Sequence, residues 1–389
     1  MKTLLLTYFL IFTFCSLAQT NQDCIDSLYS EDFGRKILAI ECINQFKPEG
    51  AIDIIIELID EQQPPLQIQF LNALYTLEYE EIETEAYNLI SRADDFKNDP
   101  YSWDPLDAKV FATSILVYKG DYSTIEYVFE QLNQDEITIK DALSLHLLSY
   151  IMDNVPAYKD EAKNILLNEL SNSSEDLRYF ALLYLAEEFG EEMNNELVDR
   201  FVYDNDLPTK ILAFQHLCVN NYSGLNPLLK QQLESEEEPS LRIDIADSIL
   251  YKFGEPSDLK EVMDYQPNEP DETARSLMNY SIQEFIPPRP TDSTIEMIQN
   301  LLQYTDELYQ FGWIGFEEHY SEYLGLQERI EVAYNAGSHE AACENLNVFL
   351  DLVEQNNYRP ALTIEGYKFL HYHGTYIKEN VEDELGPCE

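Results

Sequence analysis

Residues 241–259 read LRIDIADSILYKFGEPSDL, and this stretch decides the fold. Its apolar residues recur at helical spacing as far as Gly254, and Pro256 suits the first turn of a second helix. A pair of short amphipathic helices cannot bury its apolar faces alone. The stretch therefore predicts one copy of a repeated two-helix unit.

Helix-start signals recur along the chain at a nearly constant interval. Capping side chains and prolines place helix starts near residues 65, 105, 138, 173, 207 and 238, and a second set near 81, 121, 154, 191, 222 and 255. The unit is a helix pair that repeats about every 34 residues, the period of an α-solenoid. The first helix of several units carries a basic residue three or four positions before an alanine: Lys109 and Ala112, Arg178 and Ala181, Lys210 and Ala213, Arg242 and Ala246. We expect the alanines to allow close helix packing and the basic residues to pair with nearby acids.

The two clearest copies resemble a known repeat family. Residues 241–256 and 177–190 each contain Leu-Arg, then an alanine, then Phe-Gly, and they resemble the short bacterial kind of HEAT repeat. The resemblance covers about 50–265 and implies an all-α, right-handed α-solenoid of HEAT-like helix pairs. Tetratricopeptide repeats share the period, but their small and aromatic residues do not occur here in order. Another helical-repeat family is the alternative.

The pattern changes after Lys260. Proline-rich stretches at 264–272 and 286–291 read as a boundary, with one closing helix between them. We predict a solenoid over 19–286, a linker at 287–291 and a small C-terminal helical bundle or hairpin over 292–389. Residues 325–380 resemble the FIMAH domain, a helical module found at the ends of exported bacterial proteins.

The first twenty residues, MKTLLLTYFLIFTFCSLAQT, have the features of a secretory signal peptide. Lys2 precedes an apolar run that is too short to span a membrane, and Ser16-Leu17-Ala18 offers small residues for cleavage after Ala18. We expect a periplasmic or secreted protein. A lipoprotein anchored through Cys15 is less favoured, because the residues before it are bulky. No later apolar stretch is long enough to span a bilayer, so the sequence does not predict an integral membrane protein.

The formal net charge is −49 at pH 7. Such a chain repels phosphate backbones, which argues against nucleic acid as a partner, and it is disfavoured at anionic membranes. Solubility is one explanation of the charge, and attraction for cations or a basic partner is another.

Five cysteines follow the proposed cleavage point. Two pairs suit disulfides, namely Cys24 with Cys42 and Cys343 with Cys388, and Cys218 is expected to be a free thiol within a helix. His339-Glu340-Ala-Ala-Cys343 lacks the second histidine of a zinc-protease helix. We therefore predict no metal and no cofactor.

The sequence contains no recognisable catalytic motif. Nucleophile-elbow, phosphate-loop and calcium-loop patterns are absent. The turn Asp204-Asn205-Asp206 is a weak calcium candidate at most. These observations predict that the chain has no catalytic residues and is not an enzyme.

Two groups of aromatic residues could serve an interface or stack on sugars. They are Tyr101, Trp103 and Tyr118 in the first group, and Trp313, Tyr320 and Tyr323 in the second. Core packing is the alternative role of both groups. The sequence thus predicts an exported, non-catalytic scaffold that presents a curved helical surface to a protein partner. The alternatives are a carbohydrate-binding or carbohydrate-active protein and a cation-dependent adhesion or assembly factor.

Overall fold

The structure is a computed structural model that describes residues 21–60, 62, 64–93, 105–132, 142–358 and 360–388. Within these ranges the regular structure is helical, apart from one antiparallel bridge between Ile314 and Leu362. The all-α prediction is confirmed. The chain divides into two compact units, Met1–His216 and Leu217–Glu389, and each is described by itself.

The first unit is built from successive helix pairs. Its helices are α1 (Asn21–Leu28), α2 (Phe33–Phe46), α3 (Ala51–Ile59), α4 (Pro64–Thr76), α5 (Ile82–Arg92), α6 (Pro105–Tyr118), α7 (Ile125–Leu132), α8 (Ala142–Asn154), α9 (Lys159–Glu169), α10 (Glu175–Phe189), α11 (Asn194–Tyr203) and α12 (Leu207–Val219), within which the division falls. The predicted starts near 65, 105 and 207 agree with the helices to within one residue. Local capping and proline signals therefore set the helix pattern.

The second unit continues the pairs and ends in a bundle. Its helices are α13 (Leu225–Ser235), α14 (Pro239–Ser248), α15 (Pro256–Tyr265), α16 (Glu272–Glu284), α17 (Thr294–Gln310), α18 (Glu317–Asn335), α19 (His339–Gln355) and α20 (Ile364–Leu385). Helices α17 and α19 each contact both α18 and α20, which makes a four-helix bundle. The predicted C-terminal bundle is confirmed.

The opening stretch folds as its pattern predicts. Helix α14 passes into a π-helical turn at Ile249–Phe253 and stops at Gly254, whose φ is 65°. A Cβ atom at Gly254 would lie 2.7 Å from the Leu250 carbonyl oxygen, so this turn requires glycine. Pro256 then begins α15, where the side chains of Glu255 and Asp258 form a capping box.

The recurring alanines are buried, and the two arginines among the recurring basic residues pair with acids as expected, whereas Lys109 donates to the hydroxyl of Tyr127. Ala112, Ala181, Ala213 and Ala246 have no exposed surface. Arg178 donates from Nε and Nη2 to the two carboxylate oxygens of Asp204, at 3.1 and 2.9 Å. Arg242 binds Glu269 in the same two-pronged way, with a Nε–Oε2 distance of 2.8 Å. Each acid lies just before the first helix of the following repeat, so the ion pairs join neighbouring repeats.

Candidate functional site

A row of tyrosines lies along the first unit. Tyr75, Tyr118, Tyr150 and Tyr184 stand in the second halves of α4, α6, α8 and α10, the first helices of successive repeats; we call them the tyrosine row. The ring centroids of Tyr75 and Tyr118 are 6.4 Å apart, and those of Tyr118 and Tyr150 are 4.2 Å apart in an edge-on arrangement. The ring of His146, which lies one turn before Tyr150 on α8, is near the ring of Tyr184, with 6.2 Å between their centroids.

The rings of the tyrosine row are only partly covered. Tyr75 is 37% exposed, and Tyr118, Tyr150 and Tyr184 are half-buried. Burial raises the pKa of Tyr118 to about 12, with a further contribution from Tyr150, and burial also raises the pKa of Tyr184. Tyr118 and Tyr184 therefore stay neutral at physiological pH, and the row offers apolar ring faces with hydroxyl groups. Half-buried tyrosines of this kind are typical of protein interfaces.

Acidic groups lie beside the tyrosine row. Glu187 is exposed on the helix that carries Tyr184, and its field contributes to the raised pKa of that tyrosine after burial. Asp153 follows Tyr150 on α8, and burial and a hydrogen bond to Glu188 raise its pKa. Lys159 forms an ion pair with Glu188 and lowers the pKa of that carboxyl.

The contact between Asp153 and Glu188 limits what that pair can do. The Glu188 carboxylate is already paired with the Lys159 ammonium. The interaction of Asp153 with Glu188 links α8 to α10.

A shallow groove lies between α18 and α19 in the second unit. It has a volume of about 500 Å³ and is lined by Ser321, Glu322, Gly325, Leu326, Arg329, Val348, Asp351, Leu352 and Gln355. Charges of both signs alternate with aliphatic side chains, and none of the nine residues is aromatic. The groove therefore offers a mixed polar and aliphatic surface.

The structure separates the six predicted interaction aromatics. Tyr101 and Trp103 lie outside the described residues, and Tyr118 belongs to the tyrosine row. Tyr320 stacks on Tyr309 at 4.3 Å and donates a hydrogen bond to Asp306 at 2.7 Å.

The interaction role proposed for Trp313 and Tyr323 does not fit their positions. Trp313 is 7% exposed and stacks against Phe369, whereas Tyr323 is fully buried and accepts a hydrogen bond from Asn356. Large side chains fill the centre of the four-helix bundle, and these two rings are among them.

Sequence reasoning missed three of the four tyrosines in the row. Tyr75, Tyr150 and Tyr184 are far from one another in sequence and tyrosine is abundant, so no local pattern distinguishes them. Their shared place in successive first helices is the signal that could have identified them.

The cysteines pair as the sequence suggests. The Cα atoms of Cys24 and Cys42 are 5.9 Å apart and those of Cys343 and Cys388 are 5.2 Å apart, with a disulfide in each pair. Cys218 is a free, half-buried thiol, and burial raises its pKa.

The carboxylates of the acidic turn at 204–206 bind protein groups. Both oxygens of Asp204 accept hydrogen bonds from Arg178, and its Oδ1 also accepts one from the Asp206 amide. The Asp206 carboxylate caps α12 by accepting from the amide and hydroxyl of Thr209. These hydrogen bonds give Asp204 and Asp206 structural roles at the start of α12, and the calcium role stays a prediction.

The structure also bears on membrane insertion. Across the described ranges, no helix has the length and apolar character needed to cross a bilayer.

Comparison with known proteins gives little beyond the fold. No protein-family model matches the chain, and no curated protein does. Among solved structures, a chain in the complex of CpcE and CpcF of phycocyanin lyase from Nostoc sp. PCC7120 is 16% identical, with a TM-score of 0.34. The match covers 68% of the present chain and 96% of that chain. The helix pairs described above place the present chain among the all-α helical-repeat proteins.

One prediction needs correction in the light of that comparison. The sequence predicts that the chain is not an enzyme, because it contains no catalytic motif. The matched chain belongs to a protein complex named as a lyase. A helical-repeat architecture without a familiar motif therefore does not argue against catalysis, and the prediction is withdrawn.

Proposed function

We propose that this chain is an exported helical-repeat protein that binds a protein partner through the tyrosine row. The observation that carries the proposal is the regular placement of partly exposed tyrosines on successive repeats of the first unit. Tyrosine combines a large apolar ring with a hydroxyl group and loses little entropy when it is ordered, which suits it to interfaces.

Charge indicates the kind of partner. The chain has a formal charge of −49, and Glu187 lies beside the row. A partner with basic residues would be drawn to this surface and would gain complementary contacts at its rim. We therefore expect a partner with a positively charged face, and we expect binding to weaken as salt concentration rises.

Carbohydrate binding is the second candidate function, because tyrosine rings also stack on sugars. The acidic character of the chain favours the protein partner, because a basic protein face is attracted to it and a neutral glycan is not. The two candidates differ in a direct test, in which the immobilised protein is exposed to an array of purified glycans and, separately, to proteins of its native envelope or medium. Retention of a protein that is lost with Tyr75→Ala/Tyr184→Ala supports the proposal. Retention of glycans that is lost with the same variant supports the second candidate.

Export is proposed together with partner binding. Two disulfides are typical of proteins in oxidising compartments, and they support the signal-peptide interpretation of residues 1–18. Within this proposal, the repeats are HEAT-like and the C-terminal bundle corresponds to a FIMAH-like module.

Intact-mass analysis of the exported protein tests the compartment. We expect a mature chain that begins at Gln19 and contains both disulfides. A mass that includes residues 1–18, or that shows all cysteines reduced, would contradict export with cleavage after Ala18.

A further inference from the structure

Three potential metal ligands converge where α19 begins and α20 ends. They are His339, Cys343 and Cys388, whose Nε2 and Sγ atoms all lie within 4.8 Å of one another. His339 Nε2 is 3.2 Å from the Cys343 sulfur. Among the described residues, this is the group of histidine, cysteine and acidic side chains that meets the spacing of a metal site.

The local sequence explains why these residues meet. His339 is the first residue of α19 and Cys343 lies one turn further, so both side chains project from the same helix face. Cys388 follows the end of α20, and its amide donates to Glu382 at 3.3 Å, which ties the chain end to the last turn of that helix. Cys343 is 5% exposed, whereas His339 and Cys388 are half-buried.

We propose that the reduced form of the Cys343–Cys388 pair, together with His339, binds a thiophilic cation of the Zn²⁺ class. Two thiolates and one imidazole are ligands that zinc prefers, and three protein ligands leave a fourth position for water. The disulfide form lacks thiolates and does not bind the ion. The disulfide therefore acts as a redox gate on a metal site.

Electrons and protons balance in the redox step that opens the site. A dithiol reductant breaks the sulfur–sulfur bond by thiol–disulfide exchange, supplying two electrons and two protons and becoming a disulfide itself. Zn²⁺ binding then displaces one proton from each thiol. The reverse exchange with a disulfide as the oxidant restores the Cys343–Cys388 bond and releases the ion; the oxidant takes up the two electrons and two protons and becomes a dithiol.

His339 must change its hydrogen bonding when the ion binds. In the disulfide form its Nε2 lies 2.7 Å from the Gly386 carbonyl oxygen, which can only accept, so Nε2 carries the proton. For metal binding the neutral ring carries its proton on Nδ1 and presents the Nε2 lone pair. Because ligand formation requires deprotonation, the affinity for the ion falls as the pH is lowered.

The other disulfide provides a matched control. Cys24 and Cys42 also become a pair of thiols on reduction, but no described histidine joins them within metal-ligand distance. Comparison of the two pairs therefore isolates the contribution of His339.

The test is a Co²⁺ titration, since Co²⁺ substitutes for Zn²⁺ and gives a sulfur-to-cobalt charge-transfer band. The full-length protein and its variants are purified in the oxidised form, checked for helicity by circular dichroism, reduced with a phosphine and titrated without oxygen. We expect the band in the reduced protein and in C24S/C42S, and its absence in C343S/C388S and in the oxidised protein. We expect His339→Ala, which retains both disulfides during purification, to weaken binding about tenfold or more.

Two results would overturn the proposal. One is a reduced wild-type protein that shows no charge-transfer band. The other is a His339→Ala variant that binds Co²⁺ as tightly as the wild type, which would assign the binding to thiols alone.

Discussion

His373 is an unusual residue in the bundle of the second unit. It is 4% exposed, its ring centroid lies 5.0 Å from that of Tyr304, and its Nε2 has no hydrogen-bond partner among the described residues. Burial lowers the pKa of His373 to about 4. The folded protein therefore keeps this ring neutral in a pH range where the unfolded chain would protonate it.

This difference predicts a pH-dependent loss of stability. The unfolded histidine has a pKa of about 6.5. The neutral ring makes its full contribution to the unfolding free energy above that pH. This contribution is lost as the pH falls towards 4, because the unfolded state binds the proton first. Lowering the pH from 7 to 5 should therefore reduce the unfolding free energy of the wild type by about 2 kcal/mol through His373 alone. Urea unfolding at the two pH values should show that His373→Leu lacks this part of the dependence. An unchanged pH dependence in the variant would contradict the burial of His373.

The individual residues that the sequence identified correctly are those with local signals. Gly254 ends its helix because the backbone turns to a positive φ, and Ser293 with Glu296 forms the expected capping box. Trp313 and Tyr323 were misjudged because their burial depends on partners far along the chain, such as Phe369 and Asn356. A single sequence does not reveal such contacts.

At the scale of elements, buried ion pairs connect successive helix pairs. Arg242 donates to Glu269 and to the carbonyl oxygens of Glu236 and Glu237, and Arg178 does the same with Asp204 and the carbonyl of Asn172. For Glu269 burial would raise the pKa, but hydrogen bonds from Arg242 and from the Asp271 amide outweigh burial and keep the pKa low. The link thus holds the start of one repeat against the preceding one.

Removing one partner of such a link should be costly. Arg242→Ala leaves the Glu269 carboxylate buried and unpaired, so we expect a loss of about 3–5 kcal/mol in unfolding free energy. Lys260→Ala is the matched control, because Lys260 pairs with an exposed acid, Asp264, within one helix; we expect less than about 0.5 kcal/mol there.

Denaturant unfolding of the two variants measures both effects. The double variant Arg242→Met/Glu269→Leu should recover much of the loss, because it leaves no unpaired charge. Equal and small effects of Arg242→Ala and Lys260→Ala would show that the link between repeats contributes little.

The helix pairs themselves were predictable, since each repeat carries its own start and stop signals. The prediction that basic residues pair with acids is correct for Arg178 and Arg242, but the sequence did not show that each of these arginines would bind an acid just before the next repeat. The tyrosine row has the same origin, because it exists only when first helices stack side by side. Features that arise between repeats therefore need the structure.

At the scale of the whole molecule, we propose that the repeated helix pairs create a binding surface. The domain boundary at 287–291 stays a prediction and lies in the non-helical segment between α16 and α17. The strong negative charge and the two disulfides fit a stable exported protein that meets a basic partner outside the cytoplasm.

The central claim is that the tyrosine row binds that partner, and an affinity measurement with the captured partner tests it most directly. We compare the wild type, Tyr75→Ala/Tyr184→Ala and the control Tyr203→Ala, which removes a tyrosine that is 75% exposed and lies outside the row. Circular dichroism first establishes that all three proteins are folded. The account predicts that the row variant loses about tenfold or more in affinity whereas the control stays within about twofold of the wild type. A folded row variant that binds the partner as tightly as the wild type would contradict it.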